Sequence, residues 1–295
     1  MARINLRGMG VALITPFRKD KSIDFPALAR LIDYQIKNGV DYIVALGTTA
    51  ETPTLNASEK EELKNFIASR VDRRVPLVVG CGGNNTAAVV EEVSHIDRLA
   101  FDAILSVVPY YNKPSQEGIY RHYSEIAQAS PLPVVLYNVP GRTGVNMSAE
   151  TTLRLASDHH NIIAVKEASG NIGQMDEIIQ NKPEEFDVIS GDDGITFPLL
   201  TLGAVGVISV IGNAFPREFS KMVRLALNGD YEHAREIHHR FNRLFSLLFV
   251  DGNPAGVKCL LNAMGLIENE LRLPLVPTRI TTYEKIRRVL DSFET

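Results

Sequence analysis

The sequence predicts an α/β protein built as a closed (β/α)8 TIM barrel with a C-terminal helical appendage. Three observations lead there. Eight short runs rich in Val and Ile recur between residues 10 and 212. They are apolar nearly throughout, as parallel strands covered on both faces require. Amphipathic stretches separate the runs, with short connections and no shift in composition. No GxGxxG follows the first run, which argues against a doubly wound sheet. A chain of 295 residues also has the length of one such barrel.

The first run is GVALITPF (10–17). The stretch 25–39 then sets Leu28, Leu31, Ile32 and Ile36 on one helical face and ends at Gly39, a C-cap signal. YIVALG (42–47) is followed by a helical pattern over 58–70, where Ser58 and Glu61 have capping-box spacing. PLVVGCG (76–82) leads to a helix over 86–100, AILSVVP (103–109) to one over 115–130, and PVVLYNVP (133–140) to one over 148–158. IIAVKEAS (162–169) precedes a helix over 171–181. DVISGDD (187–193) and AVGVISVIG (204–212) complete the eight, and 216–229 is helical. Beyond residue 230 the alternation stops. EHAREIHHRFNRLFSLLFV and NPAGVKCLLNAMGL read as helices with no strand between them, and TTYEKIRRVLDSFE reads as the last helix. The expected organisation is a catalytic barrel over 1–230 and a helical region over 231–295.

Composition narrows the function. The net charge is -4 with no basic block, which argues against nucleic acid or an anionic membrane as partner. No run reaches the length of a bilayer span, and the N-terminal stretch lacks a signal-peptide pattern. Two distant cysteines, Cys81 and Cys259, exclude a disulfide framework, so a cytoplasmic location is expected.

In a barrel, reactive groups project from the carboxyl ends of the strands. The sixth run carries Lys166 there. Alternation puts Ile162, Ala164 and Lys166 on one face, and the small Ala164 leaves room for a long side chain in the lumen. Desolvation disfavours an ammonium, and a neutral amine attacks carbonyls to form a Schiff base. On the strand alone a second reading stays open, in which Lys166 is paired with Glu167 or another acid as a buried ion pair. Tyr137, in the fifth run, is a phenol in an apolar strand that needs a partner and can relay protons beside an imine. Thr48 and Thr49 bring two hydroxyls and free backbone N–H groups, a set suited to a carboxylate. Arg142 in PGRTG can clamp a second carboxylate.

Other constellations weigh less. Asp192 and Asp193 read as strand-end acids, not as a glycosidase pair. His159-His160 and His238-His239 are expected on exposed helix faces and lack HExxH spacing, so no metal is expected. GCGGNN lacks the Lys-Ser/Thr of a P-loop, and Cys81 reads as core.

Taken together, GTTAE, VVPYYNKPSQEGIY, LYNVPGRTG, VKEASGN, SGDD and GVISV, in this order and down to NPAGVK and LRLPLVP, resemble the pyruvate-dependent class I aldolase superfamily and, within it, the dihydrodipicolinate synthase family. The likeness covers essentially the whole chain. It implies condensation of pyruvate with aspartate semialdehyde in lysine and diaminopimelate synthesis, by a homotetramer built as a dimer of dimers. No cofactor is implied beyond a covalent pyruvate imine on Lys166. By motif, the resemblance implies that Tyr137 is the proton relay and Thr48 its hydrogen-bond partner. It implies that Thr49 binds the pyruvate carboxylate, Arg142 that of the semialdehyde, and that Gly191 and Ile208 line the pyruvate site. Tyr111 would complete the relay of a neighbouring subunit.

Two departures from the family pattern carry expectations. Ala50 stands where a Gly is usual, so an altered turn is expected there. The positions matching the lysine-inhibition site are Pro53, Ala57, Lys60 and Ala88, with a repelling amine and no carboxylate, so weak or absent inhibition by lysine is expected. Two rival functions differ in chemistry. A sister aldolase, acting on N-acetylneuraminate or a 2-keto-3-deoxy sugar acid, shares Lys166 and Tyr137 but not the second substrate. A non-catalytic barrel that binds keto acids needs no reactive amine.

Overall fold

The computed structural model describes residues 4–294. Eight parallel strands close into one barrel in chain order: β1 Gly8–Ala12, β2 Tyr42–Ala45, β3 Leu77–Gly80, β4 Ala103–Val107, β5 Val134–Asn138, β6 Ile162–Glu167, β7 Asp187–Ser190 and β8 Gly206–Ser209. Each strand is shorter than its apolar run, because the last residues of each run leave the sheet and enter the loops that build the site. The barrel closes where Gly206 of β8 pairs with Gly8 of β1. A Cβ added at Gly206 would lie 2.0 Å from the Gly8 carbonyl oxygen, so that seam requires glycine.

The period-2 pattern sorts the strands into two cores. Ala12, Val44, Val78, Leu105, Val135, Ala164, Ile189 and Ile208 belong to the buried cluster that fills the lumen. Val11, Ile43, Val79, Ile104, Leu136, Val165, Val188 and Val207 join the larger cluster between sheet and helices. One expectation fails here. Val134 pairs with Ile162 but Val135 pairs with Ala164, so β6 carries one extra residue, Ile163. This irregularity separates Ile162, which packs in the outer cluster, from Ala164 and Lys166.

Seven of the barrel's helices fall where amphipathic periodicity places them. Their first turns are held by Asp24, Asn56, Asn85, Ser115, Ser148 and Asn171, each accepting a backbone N–H; only the helix Pro216–Leu227 lacks a side-chain cap. The capping box is not Ser58 with Glu61. It is Asn56 with Glu59, bonded reciprocally at 2.9 and 3.0 Å, so this helix begins at Ala57. An eighth helix, Asp193–Leu202, is absent from the sequence pattern. Its residues are apolar on every side and include Pro198, so no 3.6-residue stripe announces it.

The C-terminal region forms three helices, Tyr231–Leu247, Ala255–Ala263 and Ile280–Glu294. The first packs against the helices that follow β7 and β8. Phe215, Phe219, Phe241 and Phe293 interlock there, with ring centroids 5.0–5.8 Å apart. His238 is half-buried rather than exposed, its ring tilted against those of Phe197 and Phe245 at centroid distances of 5.6 and 5.3 Å. His159 caps a helix and lies 2.8 Å from Ser124 Oγ. Among the described residues no helix is long and apolar enough to cross a membrane, and no His, Cys, Asp and Glu cluster could hold a metal ion.

Candidate active site

Parallel pairing of β5 with β6 sets Tyr137 directly beside Lys166 at the carboxyl end of the barrel. Lys166 is 6% exposed, and its Nζ lies 4.2 Å from the centre of the Tyr137 ring. Among the described residues it makes no ion pair. The Glu167 alternative is overturned by alternation, which turns that carboxylate away from the lumen. Glu167 is fully buried and accepts from Asn138 Nδ2 at 3.0 Å, Ser169 N at 2.7 Å and Gln174 Nε2 at 3.0 Å. Burial pushes its carboxyl above the usual range against the pull of those bonds. It locks the ends of β5 and β6 together and leaves the neighbouring amine free.

Lys166 opens into a cavity of about 310 Å³ shared by Thr48, Thr49, Tyr137, Arg142 and Gly191. A Cβ added at Gly191 would stand 2.7 Å from Ala168 Cβ and 3.1 Å from Lys166 Cε, so the missing side chain is what lets the lysine lie there. Thr48 and Thr49 lie on a single 3-10 turn, Thr48–Ala50. Thr15 Oγ1 donates to Ala50 O at 2.8 Å and Thr52 Oγ1 to Gly47 O at 2.9 Å, which fixes that turn at both ends. The left-handed residue is Glu51, with φ 56°, and not Ala50, so alanine fits without the altered turn expected of it. Thr48 and Tyr137 line the same cavity without a direct hydrogen bond. Arg142 lies on the one-turn helix Pro140–Thr143, and its Nη2 donates to Asn253 O at 3.4 Å.

The other two predicted residues lie elsewhere. Ile208, 1% exposed, packs in the lumen cluster with Tyr137 rather than in the cavity wall, where Val210 stands instead. Tyr111 is 87% exposed, held at φ 70° in a loop, and is not among the residues lining this chain's own cavity. Its neighbour Tyr110 lines a second space of about 350 Å³, which shares Thr48, Tyr137, Val139 and Arg142 with the first. Lys60 and Glu92 both line that space. Glu92, one helical turn beyond Ala88, thus adds a carboxylate to the same space.

Several residues of the site escape the strand-end search. Phe245, Phe249 and Asn253 reach the cavity from the C-terminal region. Lys258 and Glu51, 0% and 1% exposed, form an ion pair under the 3-10 turn. Lys258 Nζ also donates to Glu270 O at 2.9 Å, and Glu51 Oε2 accepts from Arg272 N at 3.0 Å. Burial pushes the Lys258 amine down to about 8. Asp193, also buried, accepts from Val210 N at 3.0 Å and Ile211 N at 2.7 Å and so fixes the loop after β8. Burial raises its carboxyl to about 6. The signals for Asn253 and Lys258 were the motif NPAGVK and for Asp193 the motif SGDD, whose spacing alone assigns them no role, and Phe245 and Phe249 carried no signal.

Fold and cavity define the class: a (β/α)8 barrel with a buried lysine lining a cavity at the carboxyl end of its strands. The chain belongs to the dihydrodipicolinate synthetase family, which matches residues 5–293. The 4-hydroxy-tetrahydrodipicolinate synthase of Parabacteroides distasonis is 71% identical over 290 residues, covering 98% of each chain. The crystal structure of dihydrodipicolinate synthase from Aquifex aeolicus superposes with a TM-score of 0.95 at 42% identity, over 98% of both chains. A chloride-inhibited dihydrodipicolinate synthase from Acinetobacter baumannii, complexed with pyruvate, has a TM-score of 0.94 at 39% identity, over 97% of this chain and 98% of that one.

Proposed function

We propose that this enzyme condenses pyruvate with L-aspartate 4-semialdehyde to 4-hydroxy-tetrahydrodipicolinate through an imine on Lys166. The observation that carries the reading is the buried, unpaired Lys166 amine beside Tyr137 in a cavity that also holds two threonines and an arginine. Lys166 Nζ adds to the keto carbon of pyruvate, and water leaves as the imine forms. The protonated imine is the electron sink that the neutral ketone lacks, so a methyl proton is lost and the nucleophilic enamine forms. The enamine carbon attacks the aldehyde, the aldehyde oxygen takes up a proton, and the amino group of the second substrate then displaces Lys166 as the ring closes. Tyr137, with Thr48 near it, carries protons between these steps. Thr49, beside Gly191, receives the pyruvate carboxylate, Ile208 packs beneath it, and Arg142 at the mouth receives the carboxylate of the semialdehyde.

The exposed Tyr111 fits a role in a second copy, where it completes the other subunit's relay within a homotetramer. The barrel over 1–230 supplies the reacting groups, and the region 231–295 closes one side of the site. Two free, buried cysteines suit a cytoplasmic setting. Neither the sister aldolase reading nor the keto-acid binder is favoured by any contact in the cavity.

The test is borohydride trapping with pyruvate. A mass increase on the peptide holding Lys166, lost in Lys166→Ala together with turnover of pyruvate and aspartate semialdehyde, is expected. An untouched Lys166, or cleavage of N-acetylneuraminate outpacing the condensation, would overturn the reading.

A further inference from the structure

We propose that Asn253 is a positioning residue for the keto-acid carboxylate, acting by fixing which way the Thr49 hydroxyl points its proton. The inference rests on the imine reading above and deepens it. Asn253 is 7% exposed and lines the Lys166 cavity from the segment between two helices of the C-terminal region. Its Nδ2 donates to Thr49 Oγ1 at 3.1 Å, across 204 residues of sequence. Thr49 is itself buried.

A hydroxyl that accepts one hydrogen bond still has its own proton to place. Among the described residues Thr49 Oγ1 donates to nothing, so that proton is left for the cavity. The incoming carboxylate is purely an acceptor and completes a chain from amide to hydroxyl to anion, in which each bond polarises the next. The Asn253 Oδ1 atom is buried and has no partner among the described residues. Reversing the amide would let Thr49 donate to that oxygen and would spend the proton away from the cavity. The main-chain oxygen of Asn253 meanwhile accepts from Arg142 Nη2 at 3.4 Å, so the same short segment touches both groups assigned to substrate carboxylates.

The experiment measures trapping by borohydride against pyruvate concentration in the full-length wild type, Asn253→Ala, Asn253→Asp, Thr49→Val and the double variant Thr49→Val/Asn253→Ala. Thermal unfolding of each protein runs alongside. Asn253→Ala is expected to raise the half-saturating pyruvate concentration roughly tenfold, the scale of one charge-assisted hydrogen bond. The limiting trapping rate and the KM for the aldehyde change less than about threefold. Asn253→Asp, nearly isosteric, takes the hydroxyl proton itself and sets a negative charge by the carboxylate. It is expected to raise half-saturation roughly a hundredfold at neutral pH and less in acid, as the aspartate protonates. In the Thr49→Val background the Asn253 substitution adds nothing further, because the group it acts through is gone. Multiplying effects in the double variant would overturn the inference, as would unchanged half-saturation in Asn253→Ala or equal losses for both substrates. A wild type that traps no adduct on Lys166 strikes the proposed function. A wild type that traps normally, with Asn253→Ala indistinguishable from it, strikes this inference alone.

Discussion

Replacing Lys258 by Met removes one half of a charge pair that no water reaches. Glu51 is 1% exposed, and its carboxylate has two protein donors besides backbone geometry: Lys258 Nζ on Oε1 and Arg272 N on Oε2 at 3.0 Å. Lys258→Met leaves Oε1 buried, ionised and without a donor. Breaking a buried pair this way costs about 3–5 kcal/mol, because one charge stays behind uncompensated. In a chain of this size about 2 °C of midpoint is lost per kcal/mol, so thermal unfolding by circular dichroism should move down by roughly 6–10 °C. The double variant Glu51→Gln/Lys258→Met removes the stranded charge and keeps an oxygen for Arg272 N. It should recover more than half of that loss, since replacing both members of a buried pair is close to neutral. If the single and double variants unfold at the same temperature, the stranded carboxylate is not the cause and the reasoning fails.

Three further outcomes are expected. Gly191→Ala places a methyl 2.7 Å from Ala168 Cβ and 3.1 Å from Lys166 Cε, so trapping of pyruvate should fall by at least a hundredfold, and the unfolding temperature should also fall because Ala168 Cβ cannot rotate away; normal trapping would show that the lysine does not need that space. Lys166→Ala should unfold within about 2 °C of wild type, because the amine has no ion pair to lose, and a drop above 5 °C would mark it as a structural cation. Asp193→Asn tests a buried acid whose folded value, about 6, lies above the ordinary 3.8. A raised carboxyl contributes stability below about pH 4 that is lost as pH rises through about 6, and the roughly 2 pH-unit gap corresponds to on the order of 3 kcal/mol. Relative to Asp193→Asn, wild type should therefore gain resistance to urea as pH falls from about 7 to about 4.5, and parallel curves for the two proteins would refute the buried-acid account.

The barrel was legible because its signals are local. Strand runs and helical stripes repeat with periods of 2 and 3.6, and alternation alone aims Lys166 and Tyr137 at one lumen. Where a local signal is missing, so is the prediction. The helix Asp193–Leu202 carries apolar residues all round, down to the exposed Leu202, and therefore shows no stripe. The extra residue in β6 is a property of how β5 and β6 pair, so Ile162 could not be assigned a face from its own strand. Ser58 with Glu61 and Asn56 with Glu59 have the same spacing, and only the position of the turn before them selects the second. Arg142, Thr48 and Thr49 were found as residue types suited to carboxylates, while the roles of Gly191, Ile208 and Tyr111 came from resemblance. Of these last three, only Gly191 touches this chain's own cavity.

What the sequence could not express is closure over long distances, and that is what the C-terminal region supplies. The loop that carries Thr48 and Thr49 is gripped by it twice, at Thr49 by Asn253 and at Glu51 by Lys258, over separations of 204 and 207 residues. Arg272 adds a third hold, pairing with Glu59 on the next helix and donating from its backbone to Glu51. Holding a loop residue in one backbone conformation costs about 1–2 kcal/mol in entropy. A strand end alone restrains only its first residue or two, and the hydroxyls here lie three and four residues past the end of β2. A buried ion pair adds little net stability, but it tolerates few geometries, because any displacement strands a charge. Its use beneath the 3-10 turn is therefore better explained by placement than by strength: it makes the position of two hydroxyls depend on the docking of the segment from Asn253 to Arg272, which carries neither Lys166 nor Tyr137.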